Sequence, residues 1–296
     1  MQKKIFFWAS VLYSILFVSA FVALTTIYIK ERSVNDSSGN LIILTFAMVV
    51  LNIIIVAVQV LLGFSFFEDS EIETANAKQF LILSIVTLNL VSVIWNSMHI
   101  KWKWKKLRIE KFKVLDITFM GMIVALFIIL DYVMGFVQLP AYTSLSLKFL
   151  PLFFMAYAAD FVKTFIVCAI CGVVSWFMPG NLDAGMPGAF MFDYFLPIVT
   201  ISICCFIRPI KTNSKMVNVT SWFIFVTVPT IIIYLSRVIA GVLFYAAYAW
   251  ENYSIWVYSL ALNAINTTVD YVLFLVAVPS MCKTLNYIVN RLKQNR

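Results

Sequence analysis

The 296-residue sequence predicts an all-α polytopic membrane protein, a six-helix core preceded by three additional transmembrane helices. Hydrophobic residues make up 62% of the chain, charged residues only 12%, and mean hydropathy is +0.95. A soluble domain is about half apolar and a quarter charged. Uncharged runs at 5–29, 41–67 and 79–100 each exceed the ~20 residues that cross ~30 Å of hydrocarbon as a helix. They lack period-two alternation, which argues against a barrel, so backbone groups in lipid must be satisfied within each helix.

The first run follows Lys3 and Lys4 and is too long for the apolar region of a signal peptide. A polar loop, "SVNDSSGN" (33–40), separates it from the second, and the acidic "EDSEIETANAK" (68–78) precedes the third. Next comes "KWKWKKLRIEKFK" (101–113), with seven Lys or Arg. Beyond it, apolar stretches lie near 115–136, 145–160, 161–178, 189–207, 217–248 and 255–282, the second and third short and closely joined.

Short basic loops stay in the cytoplasm. That rule puts 101–113, Lys163, 208–215 and the C-terminal tail on the cytoplasmic side of a cell membrane, with Lys30 and Arg32, for 17 of the 22 Lys and Arg. The acidic 68–78 loop and the N-terminus then face out, with Lys3 and Lys4 running against the rule. The net charge of +8 is thereby topological and needs no nucleic acid. Trp102 and Trp104, interleaved with lysines, suit an anchor beside anionic membrane lipid.

The basic stretch divides the chain into a three-helix module, 1–113, and a six-helix core, 114–296. Spans before it hold no ionisable group at depth, whereas those after it hold Asp131, Asp193, Arg237 and Asp270. Charges at membrane depth are expensive and mark sites or pathways. Enzyme chemistry lacks residues: the one histidine, His99, sits at the end of a span, and no Gly-Lys pair exists for a phosphate loop. "CAIC" (168–171) and the Cys204–Cys205 pair read as small residues at helix contacts, so no metal and no cofactor is expected.

The loop "PGNLDAGMPGAF" (179–190) leads into "MFDYFLP", placing Asp193 and Tyr194 within about the first turn of a helix. A carboxylate there is favoured by the helix N-terminus, yet it needs a cationic or hydrogen-bonding partner. Arg237 falls in "SRVIAGVLFYAAYAW" (236–250), at comparable depth. "VYSLALNAINTTVDY" (257–271) sets Asn263, Asn266 and Asp270 on one helix face. The plain alternative is that these groups cement helix packing.

"SRVIAGVLFYAAYAWENYSIWVYSLALNAI" (236–265) resembles the fifth-to-sixth helix signature of the thiamine-binding S component of energy-coupling factor (ECF) transporters. "LSLKFLPLFF" (145–154) is similar to the second-helix opening of S components, and "FMFDYFLP" to the family's carboxylate–tyrosine pair opening helix four. The resemblance covers 114–296 and implies a six-helix vitamin-binding subunit with both core ends inside. It assigns Asp193, where the family has Glu, to the cationic vitamin, and Tyr194, Gly241, Tyr258 and Asn263 to pocket contacts. Aromatic faces suit a desolvated cation. The chain departs from the family at Arg237 (His there), Tyr245 (Trp there) and Ser144 (Trp there). The family's A-x-x-x-A contact on the first core helix is altered to Thr118 and Met122, with Gly121 and Ala125 as a shifted small pair for docking a partner helix.

The resemblance implies capture of thiamine or a phosphorylated form, in partnership with an ECF transmembrane coupling subunit and two ATP-binding subunits. Arg237 motivates the phosphate, since its planar fork matches phosphate geometry. An Arg237 ion pair with Asp193 or Asp270 is the competing account. Two other classes stay open: a proton-coupled secondary transporter using Asp131, Asp193 or Asp270, which inverted repeats would favour, and a membrane assembly or lipid-binding protein built on residues 1–113.

Overall fold

The computed structural model describes residues 2–33, 39–64, 66, 70–100, 112–136, 145–179, 181, 183, 185–209, 215–251 and 253–294. Trp102, Trp104 and Ser144 lie outside them. The described elements are helical: α1 (Gln2–Ser33), α2 (Gly39–Phe64), α3 (Ser70–Val86), α4 (Leu90–His99), α5 (Val114–Gly135), α6 (Phe149–Ala158) and α7 (Phe161–Val174). A composite rod, Pro187–Phe206, follows, built from α8 (Pro187–Phe190), a π turn (Met191–Phe195), α9 (Leu196–Thr200) and a 3-10 segment. The long helices α10 (Lys215–Phe244) and α11 (Ile255–Gln294) complete the order. Among the described residues, α1, α2, α5, the composite rod, α10 and α11 hold stretches long and apolar enough to cross a membrane.

Two short helices set the depth of the site. The ten residues of α6 extend only ~15 Å at 1.5 Å per residue, so its start lies inside the bundle. Its end turns at Ala159, where Arg208 Nε donates to Ala156 O at 2.8 Å and a second guanidinium nitrogen donates to Ala159 O. From there α7 runs parallel to α5. Lys163 meets Asp116 at 2.9 Å near the start of both helices, and Ser175 Oγ donates to Asp131 at 3.1 Å near their ends. One end of the bundle is therefore marked by Asp116, Lys163 and Arg208, here the basic end. The opposite end, reached by the close of α5, is the site end.

The predicted third span, 79–100, is not one helix. α3 and α4 form a hairpin that turns at Thr87–Asn89, with Leu88 at φ 57°. Ala77 and Leu81 of α3 pack against Val93 and Ile100, contacts that a straight helix would forbid. The turn is closed by polar groups: Asn89 Oδ1 accepts from Ser92 N at 3.0 Å, and Asn89 Nδ2 donates to Gln59 Oε1 at 2.8 Å. Ser14 Oγ donates to the same Gln59 oxygen at 2.9 Å, and Ser10 and Ser92 share a hydrogen bond.

The hairpin changes where the start of α1 lies relative to the end of α11. Gln79 of α3 donates to Arg208 O at 2.7 Å, at the basic end. Leu44 and Ala47 of α2, with Tyr28 of α1, pack at the other end against Trp250, Tyr253 and Ala261. Phe6 and Phe7 contact Trp95 and Phe66, back toward the basic end. The start of α1 and the end of α11 thus share a side, where charge counting had put them on opposite sides. Lys3 and Lys4 no longer conflict with the basic loops. Val58, Leu62, Phe80 and Leu83 join Phe127, Phe149, Phe153, Phe225 and Phe274 in one buried cluster, so α2 and α3 pack directly on the later helices.

Candidate functional site

Asp193 lies in the π turn, in the second turn of its helix and not the first, because Pro187 already opens the helix. A π turn widens the helix and recurs at functional positions. Ser236 Oγ donates to Phe192 O at 2.6 Å, fastening the turn to α10 beside Arg237. Tyr194 stacks on Phe190 at 5.6 Å, and Trp176 meets Phe190 edge-on at 4.6 Å.

Of the two partners expected for Arg237, the structure supplies Asp270. Arg237 Nη1 lies 3.4 Å from Asp270 Oδ2, and Nη2 3.3 Å from Ser146 Oγ. The backbone N–H of Ser146 donates to Asp270 Oδ1 at 2.8 Å, so both carboxylate oxygens are engaged. Arg237 also lies within electrostatic reach of Asp193. Asn263 Nδ2 donates to Ser259 O at 3.0 Å and sits 3.4 Å from Arg237 O. Asp193, Arg237 and Asn263 therefore converge at the site end, with Asp270 one layer deeper. Gly241 lets α10 and α11 touch, for a Cβ there would collide with Ser259 Oγ. Tyr258 meets Trp250 edge-on at 5.2 Å, toward the α10–α11 connection.

Two charged residues escaped the sequence reading. Lys148, just before α6, pairs with the buried Asp131 at 2.8 Å and lies 5.0 Å from the Tyr194 ring centroid. A lysine inside "LSLKFLPLFF" was the available signal. Asp183, in the loop before α8, is 3% exposed and faces Asp193. The Tyr245 hydroxyl donates to its Oδ1, while Oδ2 is buried without a partner.

The charge pattern is uneven. Lys148 with Asp131 and Arg237 with Asp270 are paired; among the described residues, neither Asp183 nor Asp193 has an ion pair with Lys or Arg. Such a site favours a cation flanked by aromatic faces. Among the described residues no cluster of His, Cys, Asp or Glu is arranged to hold a metal. On α5, Thr118, Gly121 and Ala125 are exposed, and a Cβ at Gly121 would meet nothing within 4 Å.

A relative from Bacillus subtilis (strain 168), the thiamine transporter ThiT, is 28% identical over 145 residues, covering 46% of this chain and 74% of the relative. A solved structure of ThiT from Listeria monocytogenes is similar at TM-score 0.47 and 16% identity, covering 58% of this chain and 94% of that one. The family model described as "Thiamine transporter protein (Thia_YuaJ)" matches residues 117–290, from the first turn of α5 to near the end of α11. That match spans more than half of the 296 residues, and the chain belongs to the thiamine transporter protein family.

Proposed function

We propose that this protein is the substrate-capturing membrane subunit of an ECF-type importer, binding free thiamine at the site end, which faces the cell exterior. Asp193 and Tyr194 meet the cationic ligand, with Tyr245, Tyr258 and Asn263 completing the pocket. The observation that carries this reading is the commitment of the two described cations at the site end, Lys148 to Asp131 and Arg237 to Asp270, which leaves Asp193 available to a ligand cation. Arg237 acts by ordering the pocket and Gly241 by letting α10 approach α11. An Arg237 already held by Asp270 and Ser146 gives little support to a phosphorylated ligand. The exposed face carrying Thr118, Gly121 and Ala125 is where a coupling subunit docks, and two ATP-binding subunits supply the energy. Both chain termini then lie in the cytoplasm.

Calorimetry on purified protein tests the ligand: thiamine is expected to bind at least tenfold more tightly than thiamine monophosphate, and the reverse order would overturn the choice. Purification from native membrane tests the assembly. Two nucleotide-binding subunits should accompany the tagged chain; uptake by the chain alone in liposomes would replace this reading with a secondary transporter.

A further inference from the structure

Asp183 combines three features that a merely structural loop carboxylate does not need. It is 3% exposed, one oxygen meets no N–H or hydroxyl donor, and the group within hydrogen-bond reach of it is another carboxyl, Asp193. A buried unpaired acceptor costs free energy, and a like charge alongside raises that cost. Its position is nonetheless built with care. Asn181 Nδ2 donates to Trp176 O at 3.0 Å, the Asp183 N–H donates to Asn181 Oδ1 at 2.9 Å, and the Met186 N–H returns to Asp183 O at 2.8 Å. The Tyr245 hydroxyl holds Oδ1, no N–H or other hydroxyl among the described residues reaches Oδ2, and the Asp193 carboxyl lies within hydrogen-bond reach of Asp183. With Lys148 and Arg237 engaged elsewhere, no described cation pairs with it.

We infer that Asp183 is a second ligand-binding carboxylate, which with Asp193 forms a dicarboxylate subsite selecting a positively charged ring over an uncharged one of the same shape. The inference rests on the proposed binding of thiamine at the site end. A cation placed against Oδ2 satisfies the orphaned acceptor and relieves the repulsion from Asp193. Charge, not shape, is then what this loop reads. Tyr245 is a positioning residue for Asp183 as well as part of the wall.

The test compares thiamine with an uncharged analogue whose thiazolium is replaced by thiophene, using calorimetry on the full-length purified protein. Asp183→Asn keeps the shape and removes the charge. It should weaken thiamine at least tenfold and the thiophene analogue less than threefold, and Tyr245→Phe should weaken thiamine less than Asp183→Asn does. Equal losses for both ligands in Asp183→Asn would overturn the inference, as would unchanged thiamine affinity. If Tyr245→Phe reproduced the full loss, Asp183 would be only an anchor for that ring. Binding of thiamine by the wild type with an unresponsive Asp183→Asn sinks this inference alone; a wild type that binds no thiamine sinks the reading beneath it.

Discussion

The hairpin tip and the site end are both polar clusters buried among apolar helices, yet they differ in charge and completeness. At the tip, Ser10, Ser14, Gln59, Asn89 and Ser92 are neutral and bonded to one another. They satisfy the backbone and side chains of a helix break, which any structure at membrane depth must do. At the site end, Asp131, Lys148, Arg237, Asp270, Asp183 and Asp193 are ionisable, and one acceptor is left over. A closed neutral network is glue, whereas a charged network with a vacancy in its pairing is equipped for a ligand.

Removing charge from the site end should produce the largest loss. Asp270→Ala strips the partner from Arg237 and the acceptor from the Ser146 N–H, so denaturant unfolding should show destabilisation of about 3–5 kcal/mol. A smaller cost, about 1–3 kcal/mol from overpacking, is expected for Gly241→Ala, whose new methyl meets Ser259; thiamine affinity should fall with it. At the tip, Asn89→Ala should cost about 1–2 kcal/mol through the lost cap and leave thiamine affinity unchanged. A fall in affinity there would erase the distinction between the two clusters.

The smallest stability effect belongs to α5. Gly121→Leu with Ala125→Leu adds bulk to an open face, so unfolding should shift by no more than about 0.5 kcal/mol while uptake in cells is abolished. Loss of thiamine binding would instead mean that this face supports the pocket.

Much of the later half was legible in the sequence because long apolar runs and lone buried charges are strong signals. The helices from α5 to α11 follow the apolar stretches, and Asp193 and Asn263 both lie beside Arg237. The hairpin was not legible: residues 79–100 contain no Gly, Pro or Asp, and the break is made by Leu88 in a left-handed conformation with Asn89 as cap. One unforeseen hairpin is enough to bring the start of α1 and the end of α11 to the same end of the bundle, since topology is counted span by span. Asp183 was missed because a carboxylate in a Gly- and Pro-rich loop reads as solvated, and only the folded structure shows it buried beside Tyr245. Lys148 was passed over inside the apolar stretch 145–160, and the shortness of α6 carries it to depth.

A structure determined with thiamine bound tests the central claim most directly. The cationic ring should lie at the site end, with a carboxylate oxygen of Asp193 within hydrogen-bond distance of the ligand, about 3.2 Å, and an aromatic ring within ~6 Å of the cation. Thiamine seated instead in the 70 Å³ cavity between α2, α10 and α11, lined by Thr227, Thr230, Tyr234 and Thr267, would contradict it.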